Sequence, residues 1–161
     1  RLGGVYLEVQ GAKPEELDGL SSARVELFEY MIGNTDFSIV NFHNMELVRM
    51  ADATYHPIPY DFDFSGFVDA PYASPSVVLP LRSVRERLYR GYCHPEVDMT
   101  SLFESFLSRR EAAAGLIHGQ PELAPKRAER AVRYLEEFFE TIDTPRARRS
   151  RIERACRTEI D

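Results

Sequence analysis

The chain has 161 residues and a mass of 18.5 kDa, with 43% hydrophobic and 29% charged residues and a formal net charge of −6. That length and composition suffice for one globular domain over residues 1–161, and they exclude the disordered, collagenous and disulfide-dense classes. The negative balance argues against a general nucleic-acid binder, which presents a strongly basic surface.

From residue 5 to residue 9, Val-Tyr-Leu-Glu-Val alternates as a short strand does, and the Gly11 to Pro14 cluster ends it. A helix is expected from Ser21 or Ser22, either a suitable N-cap, to Ile32, with Val25, Leu27, Phe28, Met31 and Ile32 as its apolar face. Gly33 stops it. The polar turn Gly33-Asn34-Thr35-Asp36 follows, and then the mixed segment from Phe37 to Asn44, which packing has to hold. Met45 to Met50 and Tyr55 to Pro59 predict a hairpin around an Ala51–Thr54 turn.

Residues 67–82, with three prolines and little periodicity, predict a surface loop. The uncharged run from Ala70 to Leu81 is far short of the 18 or so apolar residues of a membrane span, so no span is expected. A short helix is expected around Ser83 to Tyr89. A longer one follows from about Thr100 to His118, where Leu102, Phe103, Phe106 and Leu107 recur at helical spacing before Gly119 and Pro121. Pro125 suits a first helical turn, and Val132, Leu135, Phe138, Phe139 and Ile142 form the next apolar face. Thr144-Pro145 opens a last helix to about Arg157, its arginines reading as a solvated face. The fold class is α+β and mostly helical, a small hairpin carrying polar loops with a helical bundle behind it.

Charge is distributed unevenly: residues 1–81 hold 12 acids and 4 bases, residues 82–161 hold 14 acids and 16 bases. The acids of the first part lie with the chemically informative residues, Gly33-Asn34-Thr35-Asp36, His43-Asn44 and Tyr60-Asp61-Phe62-Asp63-Phe64-Ser65-Gly66. Carboxylates and an amide at the two ends of a hairpin offer hard oxygen ligands suited to Mg²⁺ or Mn²⁺ rather than zinc. On a strand, Asp61 and Asp63 would face one side while Phe62 and Phe64 anchor the other. The same pattern also fits an acidic edge strand with no site. Asp36 either caps a turn through local amides, as Asn34 and Thr35 can, or orients and deprotonates an attacking hydroxyl, with Asn41 or Asn44 holding the same metal. His43 fits a phosphate contact, a metal ligand or a structural hydrogen bond. Cys93 and Cys156 form no CxxC or zinc pattern, so two buried thiols and one disulfide both remain open.

The order Asn-x-Asp, His-Asn, hairpin, Ile58-Pro59-Tyr60-Asp61-Phe62-Asp63 resembles the spore-coat CotH family of atypical kinases, and more distantly the HipA-type kinases. The likeness covers about Gly33 to Gly66, with Tyr60 where that family has Trp. The segments Met31–Asp36 and Pro59–Gly66 also resemble those of bacterial proteins of unassigned function. The resemblance implies the C-terminal lobe of a protein-kinase-like fold and transfer of a group from ATP with Mg²⁺ or Mn²⁺. It implies Asp36 as the catalytic aspartate, Asn44 and Asp61 as metal and nucleotide residues, Asp63 as a second metal acid and His43 as a nucleotide contact. No GxGxxG, P-loop or phosphate-binding lysine motif is present, and the chain opens at Arg1 with neither methionine nor leader. A piece of a longer protein, preceded by a nucleotide-clamping lobe, is therefore expected. The acceptor, whether protein, small molecule or envelope polymer, stays open. A non-catalytic pseudokinase or envelope scaffold and a metal-dependent phosphoesterase are the alternatives. An envelope or secreted setting, which the resemblance implies, favours a Cys93–Cys156 disulfide.

Overall fold

The computed structural model describes residues 5–6 and 16–158, so the predicted strand beyond Tyr6 and the Gly11–Pro14 turn lie outside the described residues. The protein is α+β, and the described residues fall into two compact units. One reaches to Val97 and takes back Arg157; the other is Asp98–Cys156.

In the first unit, β1 (Val5–Tyr6), β2 (Met45–Arg49) and β3 (Tyr55–Pro59) form an antiparallel sheet in the order β1-β2-β3. β3 is at the edge, where Pro57 and Pro59 remove no needed ladder bond. Met45 pairs with Pro59 and Arg49 with Tyr55, and Asp52, accepting from the Thr54 N–H and hydroxyl, closes the hairpin turn. Helix α1 (Gly19–Ile32) begins two residues before the expected serines, because the Asp18 carboxylate accepts from Ser21 N at 2.7 Å. It ends at Gly33, whose φ of 64° is left-handed; the Asn34 N–H then closes on the Glu29 carbonyl at 2.9 Å. This is the glycine-terminated ending that satisfies the last carbonyls of a helix.

The buried face of α1 differs from the expected one. Ser22, Ala23, Glu26, Leu27, Glu29, Tyr30 and Ile32 are buried, while Val25, Phe28 and Met31 are half-buried. The helix is packed on several sides. Val25 lies against the cluster of Phe37, Ile39, Met45 and Leu47, Phe28 meets Phe62 edge-on at 5.6 Å, and Tyr30 meets Tyr89 at 5.8 Å. Phe37 and Ile39 thus hold the polar loop after α1 by packing, as expected.

Residues 67–82 form no regular element, and Val77 is 99% exposed. The expected helix at Ser83–Tyr89 is absent: a single turn from Ser83 to Glu86 is closed, and the rest is irregular. Its arginine side chains reach backbone carbonyls elsewhere, Arg85 that of Gly66 and Arg87 that of Met31 at the end of α1.

The second unit is helical: α2 (Met99–Leu107), α3 (Arg110–His118), α4 (Pro125–Asp143), α5 (Pro145–Arg148) and a π-helical turn, Arg149–Glu153. The single helix expected over 100–118 is two. The Ser108 hydroxyl and the Arg109 guanidinium donate to the Ser105 carbonyl while the Arg109 N–H bonds Phe106 instead, so side chains take the bond that the next helical turn would have made. The core joins Leu102 and Phe103 with Tyr134, Leu135, Phe138, Phe139 and Ile142, and Phe106 meets Phe138 edge-on at 5.9 Å. The last helix is also shorter than expected. Arg146, Arg149, Arg151 and Arg154 are exposed as predicted, but Arg148 lies 5.0 Å over the Phe103 ring and Arg157, in the first unit, 4.4 Å over Tyr92. Cys93 and Cys156 are both disulfide-bonded. Among the described residues no helix is long and apolar enough to cross a membrane.

Candidate functional site

Asp36 sits in the turn that Gly33 starts, and its own N–H and carbonyl and the carbonyls on either side of it all have partners. Its N–H donates to Asn34 Oδ1 at 3.0 Å, and its carbonyl accepts from Asn44 Nδ2 at 2.7 Å. Arg90 Nη1 donates to the carbonyls of both flanking residues, Thr35 and, at 3.1 Å, Phe37. Asn34 therefore serves as the local cap, and the Asp36 carboxylate is left for longer-range partners. Its Oδ1 lies 2.9 Å from His43 Nε2 and its Oδ2 accepts from Asn44 Nδ2 at 3.2 Å.

His43 and Asn44 reach Asp36 because the loop between them folds back. Ser38 and His43 exchange both backbone bonds, at 2.9 and 3.1 Å, and Asn44 takes a left-handed φ of 52°, which asparagine tolerates better than most residues. Of the two amides considered, Asn44 is the one that arrives; Asn41 is exposed and bonds Ser38 Oγ through its backbone N–H. The trio is open to solvent, with the His43 side chain 58% and the Asp36 side chain 42% exposed. Asn44 Nδ2 meets two oxygens, so its orientation is fixed by repulsion in the flipped alternative, and its Oδ1 points away from Asp36.

Asp61 and Asp63 do not lie on a strand. β3 stops at Pro59, and Asp61 has a left-handed φ of 57°, so the chain turns out of the sheet there and the expected same-side alternation does not apply. The hairpin still carries them to the end where Asn44 sits: Tyr60 N donates to the Asn44 carbonyl at 3.1 Å, one residue before Asp61. Gly66 N and Phe67 N donate to the Gly33 and Ile32 carbonyls at 3.1 and 2.9 Å, tying this loop to the turn that holds Asp36. Asp63 Oδ2 accepts from the Tyr72 hydroxyl at 3.0 Å, and that bond with the Asp63 charge raises the phenol's pKa. Phe62 packs on Phe28, whereas Phe64 packs on Tyr72 at 6.0 Å rather than in the core. Among the described residues, no three His, Cys, Asp or Glu side chains gather closely enough to hold a metal ion.

Two buried features were not legible from spacing. Glu29 is fully buried, and neither of its oxygens completes a hydrogen bond among the described residues; Asn34 Nδ2, beside it, completes none either. Burial pushes the Glu29 carboxyl up to about 7, and the nearby Asn34 amide pulls it only partly back. One turn earlier on α1, Glu26 Oε2 meets His94 Nε2 at 2.8 Å, and Glu96 lies 3.5 Å from the other ring nitrogen. Desolvation opposes charge on His94, but the two glutamates outweigh it and its pKa is raised. Gly91 is required there, since a Cβ would sit 2.4 Å from the Tyr89 hydroxyl and 2.6 Å from Glu26.

Arg85, Arg87 and Arg90 are the residues spacing reasoning missed. Arg85 donates to the Gly66 carbonyl and Arg87 to Met31 in the last turn of α1. The pattern Arg-x-Arg-x-x-Arg after a proline-rich loop was the available signal. Comparison with family models, with curated proteins and with solved structures found no match to this chain.

Proposed function

We propose that this chain carries the acid-and-amide site of a metal-dependent, ATP-using phosphoryl or nucleotidyl transferase of the CotH-like kind, within a kinase-like C-terminal lobe. The observation that supports this reading is Asn44, whose amide nitrogen donates to the carbonyl and carboxylate of Asp36 while its backbone carbonyl accepts from Tyr60 N, one residue before Asp61. A hard cation such as Mg²⁺ takes one or two carboxylates and completes its shell with phosphate and water oxygens, so Asn44 Oδ1, Asp61 and Asp63 suit it chemically. When bound, Mg²⁺ or Mn²⁺ would neutralise phosphate charge.

The remaining work falls to the chain itself. Asp36 keeps unused lone pairs beyond those bonded to His43 and Asn44, and its exposure lets it orient an acceptor hydroxyl and take up its proton. His43 anchors that carboxylate through Nε2 and offers its other ring nitrogen to a phosphate oxygen. In this reading the nucleotide clamp is supplied by sequence beyond these 161 residues, and the acceptor is open.

The test is a titration of Mn²⁺ with ATP into the full-length protein, nucleotide clamp included, and into its Asp61→Ala variant. The expected result is binding by the first and loss of roughly tenfold or more in affinity by the second. Equal binding by both removes the proposal. A second reading, a non-catalytic kinase-like scaffold, draws on the same trio, in which both Asp36 oxygens already have protein partners. It predicts no Mn²⁺-dependent ATP binding by either protein.

A further inference from the structure

The turn at Asp36 is assembled from three separate stretches of chain, and the most distant contributor is the least expected. Arg90 follows Asp36 by 54 residues, in an irregular segment where the sequence predicts a helix nearby. Its guanidinium Nη1 donates to the carbonyls of Thr35 and Phe37, the residues on either side of Asp36, and the guanidinium carbon stands 5.7 Å over the Phe37 ring. Phe37 itself is buried with Ile39, Met45 and Leu47 in the hairpin's core. Two carbonyls pointed at one cation, with the ring between them fixed in a core, leave the intervening residue little freedom to rotate. Asn34 and Asn44 then take the N–H and carbonyl of Asp36 itself.

We infer that Arg90 is the positioning residue of this site: it locks the backbone on both sides of Asp36 so that the carboxylate stays on His43 and Asn44. The catalytic significance of this rests on the proposed function, whereas the positioning itself does not. Arginine suits the task because a planar, always-charged fork both stacks on an aromatic ring and donates in its plane. Lysine would keep the charge but lose the stacked plane.

Arg90→Ala and Arg90→Lys are to be compared with the unaltered chain in two measurements, after cooperative thermal unfolding has been checked for each. Long-range proton–nitrogen NMR of the His43 ring reads its hydrogen bond with Asp36 in the absence of any ligand, and a Mn²⁺ titration with ATP into the full-length protein reads the assembled site. Arg90→Ala is expected to lose the His43 hydrogen-bond signature and to weaken Mn²⁺–ATP binding by roughly tenfold or more, in keeping with the cost of a displaced site residue. Added guanidinium ion should restore both in part, and Arg90→Lys should fall between, effects that a general loss of packing would not give. If the unaltered full-length protein binds no Mn²⁺–ATP while Arg90→Ala still loses the His43 signature, the positioning stands and the transferase reading fails. Folded variants with an unchanged His43 signature and unchanged affinity overturn the inference. Failure of both variants to fold overturns it too, since Arg90 would then be a structural residue only.

Discussion

At the scale of single residues, Glu29 has the clearest physical consequence. A carboxyl with no exposure and no completed hydrogen bond resists ionisation, and its value of about 7 compares with an ordinary 4.5. Between these two values the folded protein holds a proton that the unfolded chain releases, so stability falls as the pH rises through that window, by a total on the order of 3 kcal/mol. Glu29→Gln, which cannot ionise, should remove this slope and leave the variant the more stable protein above pH 7. Urea unfolding at several pH values checks it, and identical slopes in both proteins would contradict the assignment. His94 acts in the opposite chemical sense within the same unit. Its raised value means that the stability it contributes is complete below the ordinary histidine range and is lost as the pH rises through its folded pKa. The two contributions decline in the same direction, so Glu29→Gln should leave a residual decline that belongs to His94.

Among the elements, α1 and its glycine ending decide where the site turn begins. Gly33 holds a left-handed φ of 64°, a conformation that costs a residue with a Cβ roughly 1–2 kcal/mol. Gly33→Ala should therefore destabilise the protein by about that amount. Gly115 offers the opposite case: it is exposed within α3, and a Cβ there would meet nothing within 4 Å. Gly115→Ala should stabilise by about 0.5–1 kcal/mol through the helix preference alone. Chemical denaturation of both variants checks the pair, and the same sign of effect for both would show that backbone conformation is not what distinguishes them. The hairpin, the turn after α1 and the stop at Gly33 were legible because each has a local cause: alternation, turn chemistry or a missing Cβ. The break between α2 and α3 was not, since it depends on the Ser108 and Arg109 side chains turning back onto the Ser105 carbonyl in a stretch whose apolar spacing remains helical.

At the scale of the whole molecule, both cysteines are disulfide-bonded, so denatured, unreduced protein should show no reaction with a thiol reagent. Two reactive thiols per chain would contradict this. Reduction should lower stability by about 2–4 kcal/mol, measured by denaturation with and without reductant. The sequence by itself determined the α+β class, the hairpin and its strands, the stop of α1 and the open loop over 67–82. These follow from periodicity, from turn residues and from short separations along the chain. Only the tertiary structure decided that α1 buries Glu26 and Glu29, that Asp61 leaves the strand through a left-handed turn, and that Arg90 spans 54 residues to hold the carbonyls beside Asp36. None of these has a local cause. Each depends on which groups meet across the fold, where burial sets the cost of a charge and a distant guanidinium satisfies the backbone of a turn that its own residues leave incomplete.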